Sequence, residues 1–191
     1  MRVIAGIAKK RRLKSPGKLP VRPTADRVKE SLFNILGSRL PGSIFADLYA
    51  GTGGVGIEAL SRGAGKVVFV EKNLPVARIL MENIALTGLQ AGAEIITRDV
   101  EAALKILSRQ HITFDIIFAD PPYRQGQAAR VLNILSKVPV LRKNGILVLE
   151  IAANENIPEK AGAFTMWRRE KYGDTALVFC KPDTEEDMFC E

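Results

Sequence analysis

Residues 44–56, Ile44-Phe45-Ala46-Asp47-Leu48-Tyr49-Ala50-Gly51-Thr52-Gly53-Gly54-Val55-Gly56, decide the fold class. Ile44, Phe45, Leu48 and Tyr49 make the short apolar run expected of a buried strand. Four of the seven residues from Ala50 to Gly56 are glycine, and Ile57-Glu58-Ala59-Leu60 then opens a helix. Strand, tight glycine turn and helix N-terminus form the nucleotide-binding corner of an open α/β sheet. Glycine suits that corner because the backbone must approach a ligand closely and adopt conformations that a Cβ obstructs.

The spacing Gly51-x-Gly53-x-x-Gly56 also fits a dinucleotide fingerprint, so the glycines alone do not name the ligand. Asp47 at the strand end is less typical of a pyrophosphate site, where a carboxylate has the wrong sign. It suits a ligand whose near end is cationic, such as the amino acid half of S-adenosylmethionine. The plainer reading is that Asp47 caps the turn through backbone amides.

Outward from the corner, strands and helices alternate. Expected strands are Lys66–Glu71, Glu94–Asp99, Phe114–Pro122 and Gly145–Ala152; expected helices are Ile57–Arg62, Asn73–Thr87, Val100–Arg109 and Gly126–Lys137. Phe164–Lys171 and Thr175–Lys181, joined by a turn at Tyr172-Gly173-Asp174, read as a closing antiparallel hairpin. The pattern gives a doubly wound, Rossmann-like α/β fold: a mostly parallel seven-stranded sheet with helices on both faces. Before it, Met1–Ile7 and Arg11–Lys14 read as a small hairpin with Ala8-Lys9-Lys10 at its tip. Ser15–Pro23 reads as an extended linker, and a helix capped by Thr24 runs to Pro41-Gly42. The domain expectation is a basic extension over 1–40, a main domain over 41–182 and an acidic tail over 183–191.

The 191 residues carry a net charge of +7, and its placement is uneven. Residues 1–30 hold ten basic side chains against two acids, a local +8 that leaves the remaining 161 residues near −1. A basic arm on a near-neutral domain is the footprint of a polyanion binder, most often nucleic acid. No apolar run approaches a membrane span, and the N-terminus lacks the apolar core of a signal peptide. With only Cys180 and Cys190 there is no disulfide framework, so a cytoplasmic location is expected. His111 has no clustered partner, which argues against a metal site.

Four acids, Asp47, Glu71, Asp99 and Asp120, fall at the ends of four consecutive expected strands, where the carboxyl ends of an α/β sheet meet in one crevice. Glu71 lies about twenty residues after the first glycine, where an acid can accept ribose hydroxyls. Asp99 could accept from an adenine amine. Asp120-Pro121-Pro122-Tyr123 is the most specific signal. Consecutive prolines hold the chain extended and remove backbone donors, aiming the Asp120 carboxylate and neighbouring carbonyls at one point. Acceptors there can take both hydrogens of a nucleobase amine and turn its lone pair toward a methyl donor. Tyr123 offers a flat face for stacking the base.

DLYAGTGGVGIEAL, the acids of VFVEKN and ITRD, and DPPY together resemble the class I S-adenosylmethionine-dependent amino-methyltransferases. RVIAGIAKKRRLKSP and RPTADRVKESLFNIL narrow the resemblance to the bacterial small-subunit 16S rRNA guanine-N2 methyltransferase family, from Arg2 to about Lys181. The resemblance implies methyl transfer to the N2 amine of one guanine of 16S rRNA, in an assembled or assembling small subunit. It implies catalytic roles for Asp120, Pro121, Pro122 and Tyr123. It implies cofactor contacts from Asp47, Tyr49, Ala50, Gly51, Gly53, Gly56, Glu71, Lys72, Asp99 and Val100. Lys9, Lys10, Arg11, Arg12, Arg22, Thr24 and Arg27 are expected to meet RNA, and a monomer suffices.

Three other readings stay open. An adenine-N6 methyltransferase of DNA or RNA uses the same amine chemistry. An NAD-dependent oxidoreductase explains the glycines and Glu71 but leaves DPPY and the basic arm unused. A non-catalytic RNA-binding assembly factor could retain the fold. A carbon-5 pyrimidine methyltransferase is disfavoured, because neither cysteine lies near a strand-end motif.

Overall fold

A computed structural model describes residues 1–15, 17, 26–122 and 126–183. The chain divides into two compact units, Met1–Ala103 and Leu104–Glu191.

In the first unit three parallel strands lie in the order β3-β2-β1: β1 (Ile44–Leu48), β2 (Lys66–Val70) and β3 (Ala93–Ile96). Ile44 pairs with Lys66 and Leu48 with Val70, so the carboxyl ends of β1 and β2 are level. Phe45, Leu48, Val67 and Phe69 are fully buried, which accounts for the continuous apolar runs rather than an alternating pattern. Helices α1 (Asp26–Leu36), α2 (Gly54–Ser61) and α3 (Leu74–Thr87) accompany the strands, and α4 (Val100–Arg109) follows β3. Helix α3 has its ends written in sequence. Asn73 accepts the Val76 amide at the N-cap, Pro75 sits in the first turn, and Gly88 closes it with φ of 73°.

The second unit contains β4 (Phe114–Ala119), α5 (Gln127–Lys137), β5 (Leu141–Ala152), β6 (Lys160–Ala161), β7 (Phe164–Tyr172) and β8 (Thr175–Pro182). Its strand order is β4-β5-β8-β7-β6, with β4 and β5 parallel and the remaining pairs antiparallel. The expected hairpin is therefore present as β7 and β8. Trp167 is 46% exposed, yet its ring lies 5.6 Å from that of Phe179, so it packs the hairpin face.

Several boundaries move, each for a local reason. The first helix stops at Leu36 rather than at Pro41, because Gly37 takes φ of 50° and the chain tightens into a 3-10 turn over Gly37–Arg39. Helix α2 starts at Gly54, three residues earlier than expected, since Gly53 caps it in the left-handed region. Strand β3 ends at Ile96, so Asp99 lies beyond the strand, at the start of α4. Strand β4 ends at Ala119, immediately before Asp120 and the prolines. Strand β5 begins at Leu141, paired with Phe114 across an irregularity in β4. Among the described residues the two-residue β6 makes eight strands where seven were expected.

The N-terminal hairpin forms and docks within the first unit. Arg2 and Arg12 make an antiparallel bridge, and the amides of Val3, Lys10 and Leu13 donate to Arg11, Val3 and Met1 carbonyls. Ile4 and Ala5 donate their amides to the two carboxylate oxygens of Glu58, at 2.7 and 2.9 Å. Ser61 accepts the Ala8 amide on its hydroxyl and donates that hydroxyl to the Ala5 carbonyl. Gly6 is required there: with φ of 79°, an added Cβ would lie 1.7 Å from the Ser61 carbonyl oxygen.

Candidate active site

The glycine corner is organised by two acids. Asp47, on β1 and only 2% exposed, accepts the Gly56 amide at 2.8 Å. That amide is one of the donors an α-helix leaves unpaired in its first turn, and Gly53 supplies no side-chain cap. The carboxylate thus satisfies the start of α2 and places negative charge at the positive end of its dipole. The plainer reading of Asp47 as a cap of the turn describes this contact.

Glu71 follows β2 and is half-buried. One oxygen accepts the Gly51 amide at 2.9 Å and the other accepts the Asn73 amide at 2.7 Å. Glu71 thereby ties the loop after β1 to the turn after β2. A carboxylate has about four acceptor positions, so these two bonds leave capacity for ligand hydroxyls. Tyr49 takes φ of 66°, an uncommon conformation for a bulky residue and one that recurs at binding sites. Gly51 and Gly53 also have positive φ. Gly56 serves packing instead: a Cβ there would meet the Phe69 ring at 2.2 Å. Ala50 is buried and Lys72 is exposed.

Asp99 is a correction to the picture of four strand-end acids. It caps α4, accepting the Ala102 amide at 3.0 Å, and it is exposed. Val100 is the buried first residue of that helix. Asp120 directly follows β4 in the second unit and is half-buried, with Pro121 buried and Pro122 exposed. A cleft of about 560 Å³ in that unit lies between α5 and the segment after β5, lined by residues including Leu132, Asn133, Asn154 and Ile157. Asp120 is not among its lining residues.

Lys9, Lys10, Arg11 and Arg12 are all exposed on the docked hairpin, as is Arg27 at the start of α1. Arg22, Thr24 and Tyr123 lie outside the described residues, as does the 184–191 tail with Cys190. Cys180 is buried, and burial pushes its thiol up to about 12, which makes it a poor nucleophile. Among the described residues no group of His, Cys, Asp and Glu side chains could hold a metal ion, and no helix is long and apolar enough to cross a membrane.

Sequence reasoning missed the polar residues that hold the basic arm. Glu58 and Lys29 are both 0% exposed, 3.9 Å apart, and Lys29 donates to the Arg2 carbonyl. Arg62 reaches Glu58 at 2.8 Å and covers the Phe33 ring. Burial lowers the Lys29 pKa, and the charges of Glu58 and Asp26 oppose that shift. Asn83, also fully buried, holds Lys14. A signal was present for Lys29, which stands in the apolar stripe of Val28, Leu32, Phe33 and Leu36.

A family model described as conserved hypothetical protein 95 matches residues 1–181. The Bacillus subtilis (strain 168) protein YlbH is 36% identical over 95% of this chain and 98% of its own. The Escherichia coli (strain K12) ribosomal RNA small subunit methyltransferase D is 30% identical over 92% of this chain and 87% of its own. A solved structure of a Thermus thermophilus hypothetical protein matches with a TM-score of 0.82 at 32% identity, over 94% of this chain and 98% of that one. The fold is that of the α/β methyltransferases. A model matched along nearly the whole sequence, joined by relatives of this closeness, places the chain in the conserved hypothetical protein 95 family, that of the small-subunit ribosomal RNA methyltransferase D proteins.

Proposed function

We propose that this protein methylates the exocyclic N2 amine of a guanine in 16S ribosomal RNA, using S-adenosylmethionine, on the small subunit or an intermediate in its assembly. The observation that carries the reading is the acid-braced glycine corner, in which Glu71 and Asp47 hold the amides of Gly51 and Gly56. Family membership supports the reaction class, and the DPPY motif supports an amine as acceptor.

The corner fits the donor. The half-buried Glu71 has acceptor capacity for a ribose diol. The left-handed turn at Tyr49, Gly51 and Gly53 gives a ligand close access to backbone. Asp47 sets negative charge beneath the loop, which favours a cationic ligand end and disfavours a pyrophosphate. Asp99 and Val100 on the adenine side, with Ala50 and Lys72, complete the proposed contacts. When bound, the donor supplies an electrophilic sulfonium methyl.

Asp120 and the Pro121 carbonyl accept the two hydrogens of the target amine and turn its lone pair toward the methyl. Asp120 offsets positive charge growing on the nitrogen. A strong general base is unnecessary, because the amine proton becomes acidic only as the new bond forms. Pro122 keeps the segment extended, and Tyr123 stacks the base. Lys9, Lys10, Arg11 and Arg12 hold phosphates, with Arg22, Thr24 and Arg27 on the substrate side. A monomer suffices for this arrangement.

The test is to incubate the protein with labelled methyl donor and small subunits lacking the modification, then map the label. Label on guanine N2 is expected. Label on an adenine amine would favour the N6 reading, and no transfer to any subunit preparation would favour an assembly factor.

A further inference from the structure

Asn83, on α3, makes three hydrogen bonds from a fully buried position, and they reach two different functional segments. Its carbonyl oxygen accepts the Lys14 amide at 2.7 Å, and its amide nitrogen donates to the Lys14 carbonyl at 3.2 Å. The same nitrogen donates to the carbonyl of Thr52 at 2.9 Å. Lys14 ends the basic hairpin, whereas Thr52 lies between Gly51 and Gly53 in the loop assigned above to the methyl donor. A second contact runs in parallel. A Cβ on Gly54 would lie 2.5 Å from the Met1 sulfur, so the first residue of the arm sits against the first residue of α2, where the loop ends. Outside, the Lys14 ammonium pairs with Glu82 on α3 at 2.7 Å.

The hairpin is thus joined to the loop as well as to α2. Two segments that share one buried side chain order together. Fixing either lowers the conformational cost of fixing the other, and the effect is reciprocal by thermodynamic linkage. We propose that Asn83 is a positioning residue coupling the RNA-binding arm to the cofactor loop, so that polyanion on the arm and donor in the corner bind cooperatively. This rests on the reading of the corner as the donor site and of the arm as the RNA contact, and it adds a link between them.

The test uses the full chain, S-adenosylhomocysteine as the donor-site probe and unmodified small subunits as the RNA probe. Equilibrium dialysis of labelled S-adenosylhomocysteine is expected to show affinity rising about fivefold or more when subunits are present. In Asn83→Ala the two affinities should become equal. An unchanged enhancement in that variant, or none in the wild type, overturns the coupling. Should Asn83→Ala fold poorly, amide exchange in the wild type answers the same question. S-adenosylhomocysteine alone should slow exchange at Val3, Lys10 and Leu13, whose amides close the hairpin. Slowing confined to the Gly51–Gly56 loop would overturn the coupling while sparing the donor-site reading. Failure of the probe to bind at all would overturn both.

Discussion

Glu71 holds the Gly51 amide at 2.9 Å, so the acid after β2 fixes the loop that follows β1. A residue that shapes the loop and is also proposed to hold the ribose is lost twice over when its charge is removed. Glu71→Gln keeps one acceptor oxygen, and Glu71→Ala keeps none. Hydrogen bonds to charged groups are worth roughly 1.5–3 kcal/mol each. Calorimetry with S-adenosylhomocysteine should show affinity down about 10-fold or more in Glu71→Ala and less in Glu71→Gln. Equal affinities in wild type and Glu71→Ala would remove Glu71 from the site.

Asp120→Ala should separate chemistry from donor binding. If Asp120 orients the amine and opposes growing charge as proposed, its loss should cost about 10²–10³ in turnover. Donor affinity should stay near the wild-type value, because the donor's proposed holders are Asp47, Gly51 and Glu71. Single-turnover methylation together with calorimetry decides it. If affinity and turnover fall in parallel, Asp120 belongs to the donor site instead.

Much of this fold could be read from the chain because local signals and burial agreed. Strand β2 is an apolar run with four of its five residues buried, and α3 carries both its caps in sequence at Asn73 and Gly88. Asp99 misled, because an acid after a β-like run serves equally as a strand exit and as a helix cap; here it caps α4, accepting the amide of Ala102 three residues on. Arg142 to Asn144, which follow the first residue of β5, are exposed and polar, so no periodicity marked them, although Arg142 pairs with Asp115 on β4. The dock of the arm was the hardest part to see. Glu58 and Ser61 look like ordinary helix residues until backbone fifty positions earlier is laid across them.

The exposed charges of the arm give a salt-dependence prediction. If Lys9, Lys10, Arg11 and Arg12 each neutralise a phosphate, log K falls by roughly 0.7–0.9 per contact for each unit of log salt. Replacing all four with glutamine should reduce that slope by about 3 and weaken binding at low salt most. Filter binding to small-subunit RNA across a salt series measures it. A wild-type slope in the variant would put the RNA elsewhere.

Cys180 gives an alkaline stability prediction. Its thiol titrates near 9.0 in the unfolded chain, and burial holds it protonated to about 12 when folded. The folded state therefore binds more protons between those values, so stability falls as pH rises through that window. Three pKa units correspond to about 4 kcal/mol at the top of the range. Urea unfolding of wild type and Cys180→Ala at pH 8 and pH 10.5 should show the wild type losing stability relative to the variant. A constant difference between them would mean the thiol is hydrated in the native state.

Glu58 and Lys29 supply the strongest test of how the arm is held. Both are buried, and Glu58 also takes the amides of Ile4 and Ala5 and the guanidinium of Arg62. Breaking a buried ion pair at one partner costs about 3–5 kcal/mol, because the survivor stays desolvated. In Glu58→Gln that survivor is Lys29, left with the half-exposed Asp26 at 3.6 Å. Burial already lowers the Lys29 pKa below 10.5, and loss of the Glu58 charge lowers it further. The unfolded chain then binds more protons between the folded pKa and 10.5, so stability from Lys29 rises with pH across that window and is complete above it. The deficit of Glu58→Gln relative to wild type should be largest at pH 7 and shrink toward pH 10.5, a comparison in which the Cys180 contribution cancels. Amide exchange at Ile4 and Ala5 should quicken in the same variant. A small, pH-independent deficit would show that Lys29 and Glu58 do not depend on each other, and that the hairpin is held by Ser61 and Asn83 instead.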